Sequence, residues 1–240
     1  MIYWLSILTY VFLLFLNTHI YTNLSLRYNE FMTEIKLDEI KSMLKEKLTY
    51  QQIADHYGVN QGTIYNMIKR EKQKRFQLPS RKAKEVIKQF DINTPPVNLK
   101  AIAKHEGFQL FFNKLPNNIS GIIESNKKEK NIFINSDHAP TRQRFSLGHE
   151  LGHHFLDHFD EGEHKDTTTI FRKEDDVLEI DREANRFASE LLMPAILVKK
   201  QIALAQRELD HELLEDMAST FEVSTIAMTY RLQNLGFELL

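Results

Sequence analysis

The sequence predicts an α+β protein preceded by a smaller all-α module. Three observations support this: amphipathic helical segments before residue 76, short runs of alternating apolar residues between 108 and 136, and two long helical segments after residue 140. The absence of cysteine excludes disulfides and thiolate metal sites, so any metal must bind to histidine and carboxylate side chains. The net charge of −2 excludes a strongly cationic protein, so any nucleic-acid surface must be local.

The first 26 residues carry no Asp, Glu, Lys or Arg, and the stretch IYWLSILTYVFLLFLNTHI is close to the roughly 20 residues of a membrane span. Two interpretations of residues 1–31 are open. In one, the hydrophobic segment is an anchor, and the flanking Arg27 and Lys36 keep the rest of the chain in the cytoplasm. In the other, translation starts at Met32. Both interpretations predict a cytoplasmic working part, and membrane association requires that residues 1–26 are translated and inserted.

Residues 32–76 have the pattern of a helix-turn-helix domain. Apolar residues from Leu37 to Leu48 recur at the spacing of one buried helix face. Thr49 then begins a second helix, with Gln52 three residues later as in a capping box. Gly58 is suited to the left-handed conformation that the turn requires.

The helix that follows the turn is predicted from about Gln61 to Arg70, and it is the candidate DNA-recognition helix. Eight basic residues and one acid lie between Lys69 and Lys84, which is the local positive charge that binding to a DNA backbone requires. A helical bundle for protein contacts is the alternative. The candidate DNA contacts are Asn60, Gln61, Thr63, Tyr65, Asn66, Lys69 and Arg70.

A polar, proline-marked stretch, QKRFQLPS, is expected to be a linker into the second part of the chain. There a helix over 98–105 should precede a strand near 108–113 and two further strands in ISGIIES and KNIFINS. We expect these strands to form a small antiparallel sheet. The predicted boundaries are 77–200 for this α+β domain and 201–240 for a C-terminal helical subdomain.

The segment FSLGHELGHHFLDHF contains His149-Glu150-Leu151-Gly152-His153. Histidines four residues apart project from one face of a helix, so His149 and His153 can bind one zinc ion. Glu150, next to the first histidine, is placed to deprotonate a metal-activated water and is the candidate catalytic base.

A third ligand is expected in EIDREANRFASELLMP, where apolar residues at helical spacing predict an amphipathic helix. Glu183 lies at the edge of the apolar stripe, where a carboxylate is costly unless it is paired or metal-bound. It is therefore the preferred ligand. Glu179 and Glu190 lie on roughly the same flank and are alternatives.

Other polar residues near these motifs have less specific expectations. His154 and His158 fall on a different helix face from His149, which predicts surface positions or contacts behind the ligands. His138 and Arg142 are candidates for substrate or oxyanion contacts, or equally for the entry into the helix.

Several ordered segments resemble the ImmA/IrrE family of zinc metallopeptidases: PPVNLKAIAKHEGF, NIFINS, RQRFSLGHELGHHFLDH and DREANRFASELLMP. The similarity covers most of residues 79–240. The resemblance implies a minimal zincin-like fold in which His149, His153 and Glu183 bind Zn²⁺ and Glu150 is the catalytic base. It also implies a protein substrate, a partner transcriptional repressor. Gly148 departs from the alanine frequent in similar sequences.

The primary hypothesis is therefore a zinc-dependent regulatory endopeptidase that cleaves a repressor-like protein. The alternative is a DNA-binding transcriptional regulator with a structural or vestigial metal centre. A third possibility is that residues 32–76 bring the peptidase to a repressor bound on its operator.

Overall fold

The computed structural model describes residues 36–125, 129–158, 164–165 and 174–238. For residues 164–165 and 174–178 only the backbone is described. The hydrophobic segment and both interpretations of residues 1–31 lie outside the described residues. Among the described residues, no helix has the length and apolar character needed to cross a membrane. The chain divides into two compact units, Met1–Gln73 and Lys74–Leu240, which are described separately.

The first unit contains helices α1 (Leu37–Lys45) and α2 (Tyr50–Tyr57), and the N-terminal part of α3 (Gln61–Gln89). The predicted capping box is present, because the Thr49 hydroxyl accepts from the Gln52 N–H and the Gln52 side chain accepts from the Thr49 N–H. Gly58 ends α2 with φ of 63°. The core of the unit is formed by Ile40, Ile53, Ala54, Ile64 and Ile68.

The expected linker is wrong, because QKRFQLPS lies inside α3. Proline usually interrupts a helix, since it lacks an N–H and its ring clashes with the carbonyl four residues earlier. Pro79 is buried here, and Leu78 packs against the core of the second unit. Apolar burial at these two positions and the strong helix formers on both sides outweigh the local preference.

The second unit continues through α4 (Leu99–His105) into strands β1 (Gln109–Asn113), β2 (Gly121–Ser125) and β3 (Lys130–Asn135). The two-residue strand β4 (His164–Lys165) completes the sheet in the order β1-β3-β2-β4. The α+β class and the three predicted strands are confirmed.

The expectation of an all-antiparallel sheet is corrected, because β1 pairs with β3 in parallel. After β1 the chain skips one position in the sheet and forms β2. It then returns as β3, which lies between β1 and β2 and is antiparallel to β2. Alternation of apolar residues predicts that a strand exists but does not identify its neighbours.

Buried Asn135, at the end of β3, holds the connection that precedes β2. Its side-chain amide donates to the carbonyl oxygen atoms of Leu115 and Ile119 at 3.2 and 2.9 Å. Its side-chain oxygen accepts from the backbone N–H of Asp137 at 3.1 Å. One buried side chain therefore fixes the backbone on both sides of the strand end.

The histidine-rich helix α5 (Pro140–Phe155) packs closely against helix α6 (Glu174–Leu192). A Cβ added at Gly152 would lie 3.0 Å from both the Cα and the carbonyl oxygen of Ala184. A Cβ added at Gly148 would lie 3.4 Å from the Ala188 Cβ. Two small residues on each helix thus allow the helix backbones to approach.

Helices α7 (Ala195–Ala205), α8 (His211–Phe221) and α9 (Thr225–Asn234) follow α6 and share its core through residues such as Phe221 and Leu232. The buried Arg231 guanidinium donates to Glu190 Oε2 at 2.6 Å and to the Met193 carbonyl at 2.9 Å. The ion pair therefore ties α9 to the end of α6.

We predict opposite effects for the same substitution at the two glycines of α5. Gly152→Ala should lower the free energy of unfolding by about 1–3 kcal/mol, because the new methyl group meets backbone atoms that can yield only if the helices separate. Gly148→Ala should leave it unchanged or raise it by up to about 1 kcal/mol, since alanine favours the helix and the contact is of ordinary length. Urea denaturation measures both. Equal effects would contradict the close approach at Ala184.

Candidate metal centre

Helix α5 presents the two predicted histidines to one point. Their Nε2 atoms lie 3.0 Å apart. His149 Nδ1 lies 2.9 Å from the Asn185 side-chain oxygen, which can only accept, so Nδ1 carries the proton. His149 Nε2 then has a free lone pair, as metal binding requires.

Burial and the neighbouring His153 imidazole lower the pKa of His149 from its ordinary value of 6.5 to about 4. His149 is therefore neutral at pH 7. Neutral imidazole is the form that binds a metal ion, and this environment favours it even before a metal is present.

Asp181, on α6, supplies the carboxylate closest to this pair. One oxygen of Asp181 and one nitrogen of each histidine all lie within 4.8 Å of one another. The Oδ1 atom lies 3.5 Å from His153 Nε2, is buried, and accepts no hydrogen bond of standard geometry from the described residues. The His153 imidazole beside it lowers the pKa of Asp181, against the opposing effect of burial. A buried, ionised oxygen is thus aimed at the two imidazoles.

The structure places Glu183 apart from this group. Its Oε1 accepts from Arg75 Nε at 2.7 Å and its Oε2 lies 3.1 Å from His158 Nε2. The two alternatives also have other partners: Glu179 lies 3.6 Å from Arg75, and Glu190 is bound by Arg231.

The donor set fits a divalent metal ion. Zinc is bound by imidazole nitrogen and carboxylate oxygen at about 2.0–2.2 Å, so tetrahedral ligand atoms lie about 3.3 Å apart. The separations of 3.0 Å between the His149 and His153 nitrogens and 3.5 Å between His153 and Asp181 are close to this value. Three protein ligands would leave one position for water or substrate.

Glu150, on α5, is buried, and its carboxylate lies beside Gly121, the first residue of β2. A Cβ added at Gly121 would lie 2.6 Å from Glu150 Oε1, so a side chain at this position would displace the carboxylate. Glu150, His149 and Asp181 line the same cleft, whose volume is about 510 Å³. The predicted base and the candidate ligands therefore face one cavity.

Residues 118–122 also line the cleft, and the exposed Arg142 lies at its rim. Arg142 Nη2 donates to the Ser120 hydroxyl at 3.0 Å, which places a positive charge beside the cavity. His138 does not line this cleft; its backbone carbonyl accepts from the Gln143 side chain at 2.6 Å. Of the two candidate substrate contacts, the structure brings Arg142 to the cleft.

Sequence reasoning missed Asp181 and Asn185. Both were detectable from the small residues of α6: Ala184 and Ala188 are spaced to face Gly148 and Gly152, and Asp181 precedes Ala184 by three residues on the same helix face. The sequence predicted a surface position or a contact behind the ligands for His158; its Nδ1 lies 3.0 Å from His153 Nδ1.

The candidate DNA contacts lie on the first unit, along α3 and the residue before it. Most are exposed, and Lys69 lies 5.9 Å from the centre of the Tyr65 ring. Thr63 is half-buried, and the Asn60 side chain accepts from its N–H at 2.8 Å, so Asn60 caps the helix. The exposed polar surface is formed by Asn60, Gln61, Tyr65, Asn66, Lys69 and Arg70.

Comparison with known proteins adds three findings. The family model of the IrrE N-terminal-like domain, peptidase M78, matches residues 103–233. Over 89 residues the chain is 36% identical to the uncharacterized immunity region protein 2 of Bacillus phage phi105, covering 36% of this chain and 52% of that protein, so it spans about half the length of this relative. A solved Mycobacterium tuberculosis transcriptional regulator aligns with a TM-score of 0.45 and 12% identity, covering 65% of this chain and 46% of that one.

The lowered pKa of His149 predicts a pH-dependent stability of the metal-free protein. Unfolding restores the pKa towards 6.5, so the unfolded state takes up a proton that the folded state excludes down to about pH 4. The free energy of unfolding should therefore be fully retained above pH 6.5 and fall by up to about 3 kcal/mol between pH 6.5 and 4. Urea denaturation of the natural protein and of His149→Gln across this pH range isolates the contribution of His149 to the free energy of unfolding. An identical pH slope in the variant would contradict it.

Proposed function

Because this chain belongs to the IrrE N-terminal-like domain family, we propose that it is a zinc-dependent regulatory endopeptidase. One observation carries the proposal: two imidazole nitrogens and a buried carboxylate oxygen converge on a cleft that is also lined by Glu150. The ligands in this proposal are His149, His153 and Asp181, and Glu150 is the general base.

Asp181 replaces Glu183 in the proposed ligand set for a physical reason. Both oxygen atoms of Glu183 already have partners in Arg75 and His158. The buried oxygen of Asp181 has no hydrogen bond of standard geometry among the described residues and lies nearest the imidazoles. A buried carboxylate oxygen without such a bond is costly unless a cation completes its environment.

Zinc at this position would supply Lewis acidity, polarising the scissile carbonyl and lowering the pKa of water. Glu150 would accept the proton of the attacking water at its carboxylate and pass it to the leaving amine. Its burial keeps the carboxylate in a fixed position between Gly121 and α5. Arg142, at the rim, is placed to contact the substrate backbone or an acidic side chain.

A repressor-like protein is the proposed substrate class. The family and the relative from a phage immunity region support a regulatory role. The first unit supports the second candidate function, a DNA-binding regulator, because it exposes polar and basic side chains along α3. The two functions can also act together, with the first unit carrying the peptidase to a repressor on its operator.

We predict that Glu150→Gln retains the metal and loses cleavage. The amide cannot accept a proton from water, which should lower kcat by about 10²–10⁴-fold or more, while all three proposed ligands remain. Metal analysis and a cleavage assay against repressor-like proteins encoded beside this chain measure the two properties.

Asp181→Asn is the matched comparison, since the same acid-to-amide change should reduce metal content as well as cleavage. If Glu150→Gln cleaves as fast as the natural protein, the mechanism is wrong. If the natural protein binds DNA and cleaves no partner, the DNA-binding regulator is favoured.

For the DNA-binding function, we expect Lys69→Ala and Arg70→Ala each to weaken binding of duplex DNA and to reduce the slope of log affinity against log salt by about 1. Each substitution removes one phosphate contact. Lys45→Ala, on the exposed end of α1, is the control and should leave the slope unchanged. Fluorescence anisotropy at several salt concentrations measures the slope. Equal slopes for all three variants would exclude α3 as the DNA-binding surface.

A further inference from the structure

Four side chains form a continuous series of contacts that ends at the candidate metal centre. Arg75 Nε donates to Glu183 Oε1 at 2.7 Å, and Glu183 Oε2 lies 3.1 Å from His158 Nε2. His158 Nδ1 in turn lies 3.0 Å from His153 Nδ1. The other nitrogen of His153 is the one that faces His149 and Asp181.

The chemistry of these groups sets the positions of their protons. An ionised carboxylate can only accept, so His158 Nε2 carries the hydrogen. In neutral imidazole the other nitrogen then accepts, so the hydrogen between the two Nδ1 atoms belongs to His153. This leaves His153 Nε2 with a lone pair directed at His149 and Asp181. The series therefore selects one tautomer of His153.

Burial makes this selection strong. Glu183, His158 and His153 are 7%, 9% and 5% exposed. Water has little access to replace a missing hydrogen bond there, and a buried carboxylate needs its partners. Arg75 supplies the compensating charge from a half-exposed position. The orientation of the whole series thus depends on the contact between Glu183 and Arg75.

We propose that Glu183 and His158 are positioning residues that hold His153 in the tautomer able to bind the metal. This inference rests on the proposed function, because it requires that His153 is a ligand. It gives Glu183 a role one step behind the ligands, and it explains why a carboxylate so close to the centre faces away from the cleft.

The first experiment measures zinc affinity by competition with a chromophoric chelator. In Glu183→Gln, Arg75 holds the amide oxygen, so the amide nitrogen faces His158 Nε2 and the donor–acceptor order is broken. We expect zinc affinity to fall about 10–100-fold. Glu179→Gln is the matched control, since Glu179 also contacts Arg75 from α6 but lies at an exposed position. It should stay within about twofold of the natural protein. Equal affinities for the two variants would overturn the proposal.

A second measurement distinguishes positioning from direct ligation by Glu183. At saturating Co²⁺, a positioning role predicts that the visible absorption of Glu183→Gln matches the natural protein, because the ligand set is unchanged. His158→Phe should lose the same affinity, and the double variant should lose little more, since both changes break one series. A changed Co²⁺ spectrum together with additive losses would make Glu183 a ligand and overturn the proposal.

A third measurement does not require a metal or a substrate. In protein labelled with ¹⁵N-histidine, two-bond proton–nitrogen spectra should show His153 protonated at Nδ1 and His158 at Nε2. Glu183→Gln should lose this pattern and Glu179→Gln should keep it. His153 protonated at Nε2 in the natural protein would overturn the proposal. This result does not depend on whether a variant folds.

These outcomes separate the inference from the proposed function. Normal cleavage with equal zinc affinity in Glu183→Gln and Glu179→Gln would refute only the positioning role. Absence of cleavage by the natural protein, with the predicted affinities and tautomers, would refute only the peptidase.

Discussion

The close approach of α5 to α6 is the constraint on which the rest of the second unit depends. Gly148 and Gly152 face Ala184 and Ala188, and a single added carbon at Gly152 would meet helix backbone. At this separation, side chains as short as Asp181 and Asn185 can reach the imidazoles of the other helix. Longer side chains on the contact face would separate the helices and move the carboxylate away from His149 and His153. The small residues therefore determine which acid can face the histidines.

Behind the candidate metal centre, a layer of polar side chains determines the proton positions and the charge of the two histidines. Asn185 fixes the proton of His149, and burial keeps that imidazole neutral. His158 and Glu183 face the other side of His153, and Arg75 compensates the charge. The residues that surround the candidate ligands thus come from α3, α6 and the segment that follows α5, and the geometry of the centre depends on all of them.

Much of this arrangement was predictable from local sequence. The spacing of His149 and His153 on a helix, the adjacent Glu150 and the capping box at Thr49 depend only on residues within one turn of each other, and the structure shows each as expected. Long-range features were less accessible. Asp181 and Glu183 both lie near the edge of one apolar stripe, and the choice between them depends on how α6 is rotated against α5. Periodicity did not predict the parallel pairing of β1 with β3, nor a helix that continues through Pro79.

The contact between Arg231 and Glu190 has a consequence for how this protein is made. Arg231 lies on α9, and its guanidinium is a buried cation beside the buried Glu190 carboxylate on the helix that carries Asp181. A chain released before this codon would leave that carboxylate buried without its counter-charge, and α6 would lose the partner that holds its end. A chain that terminates before Arg231 should therefore be less stable, because the helix that carries Asp181 has lost this support.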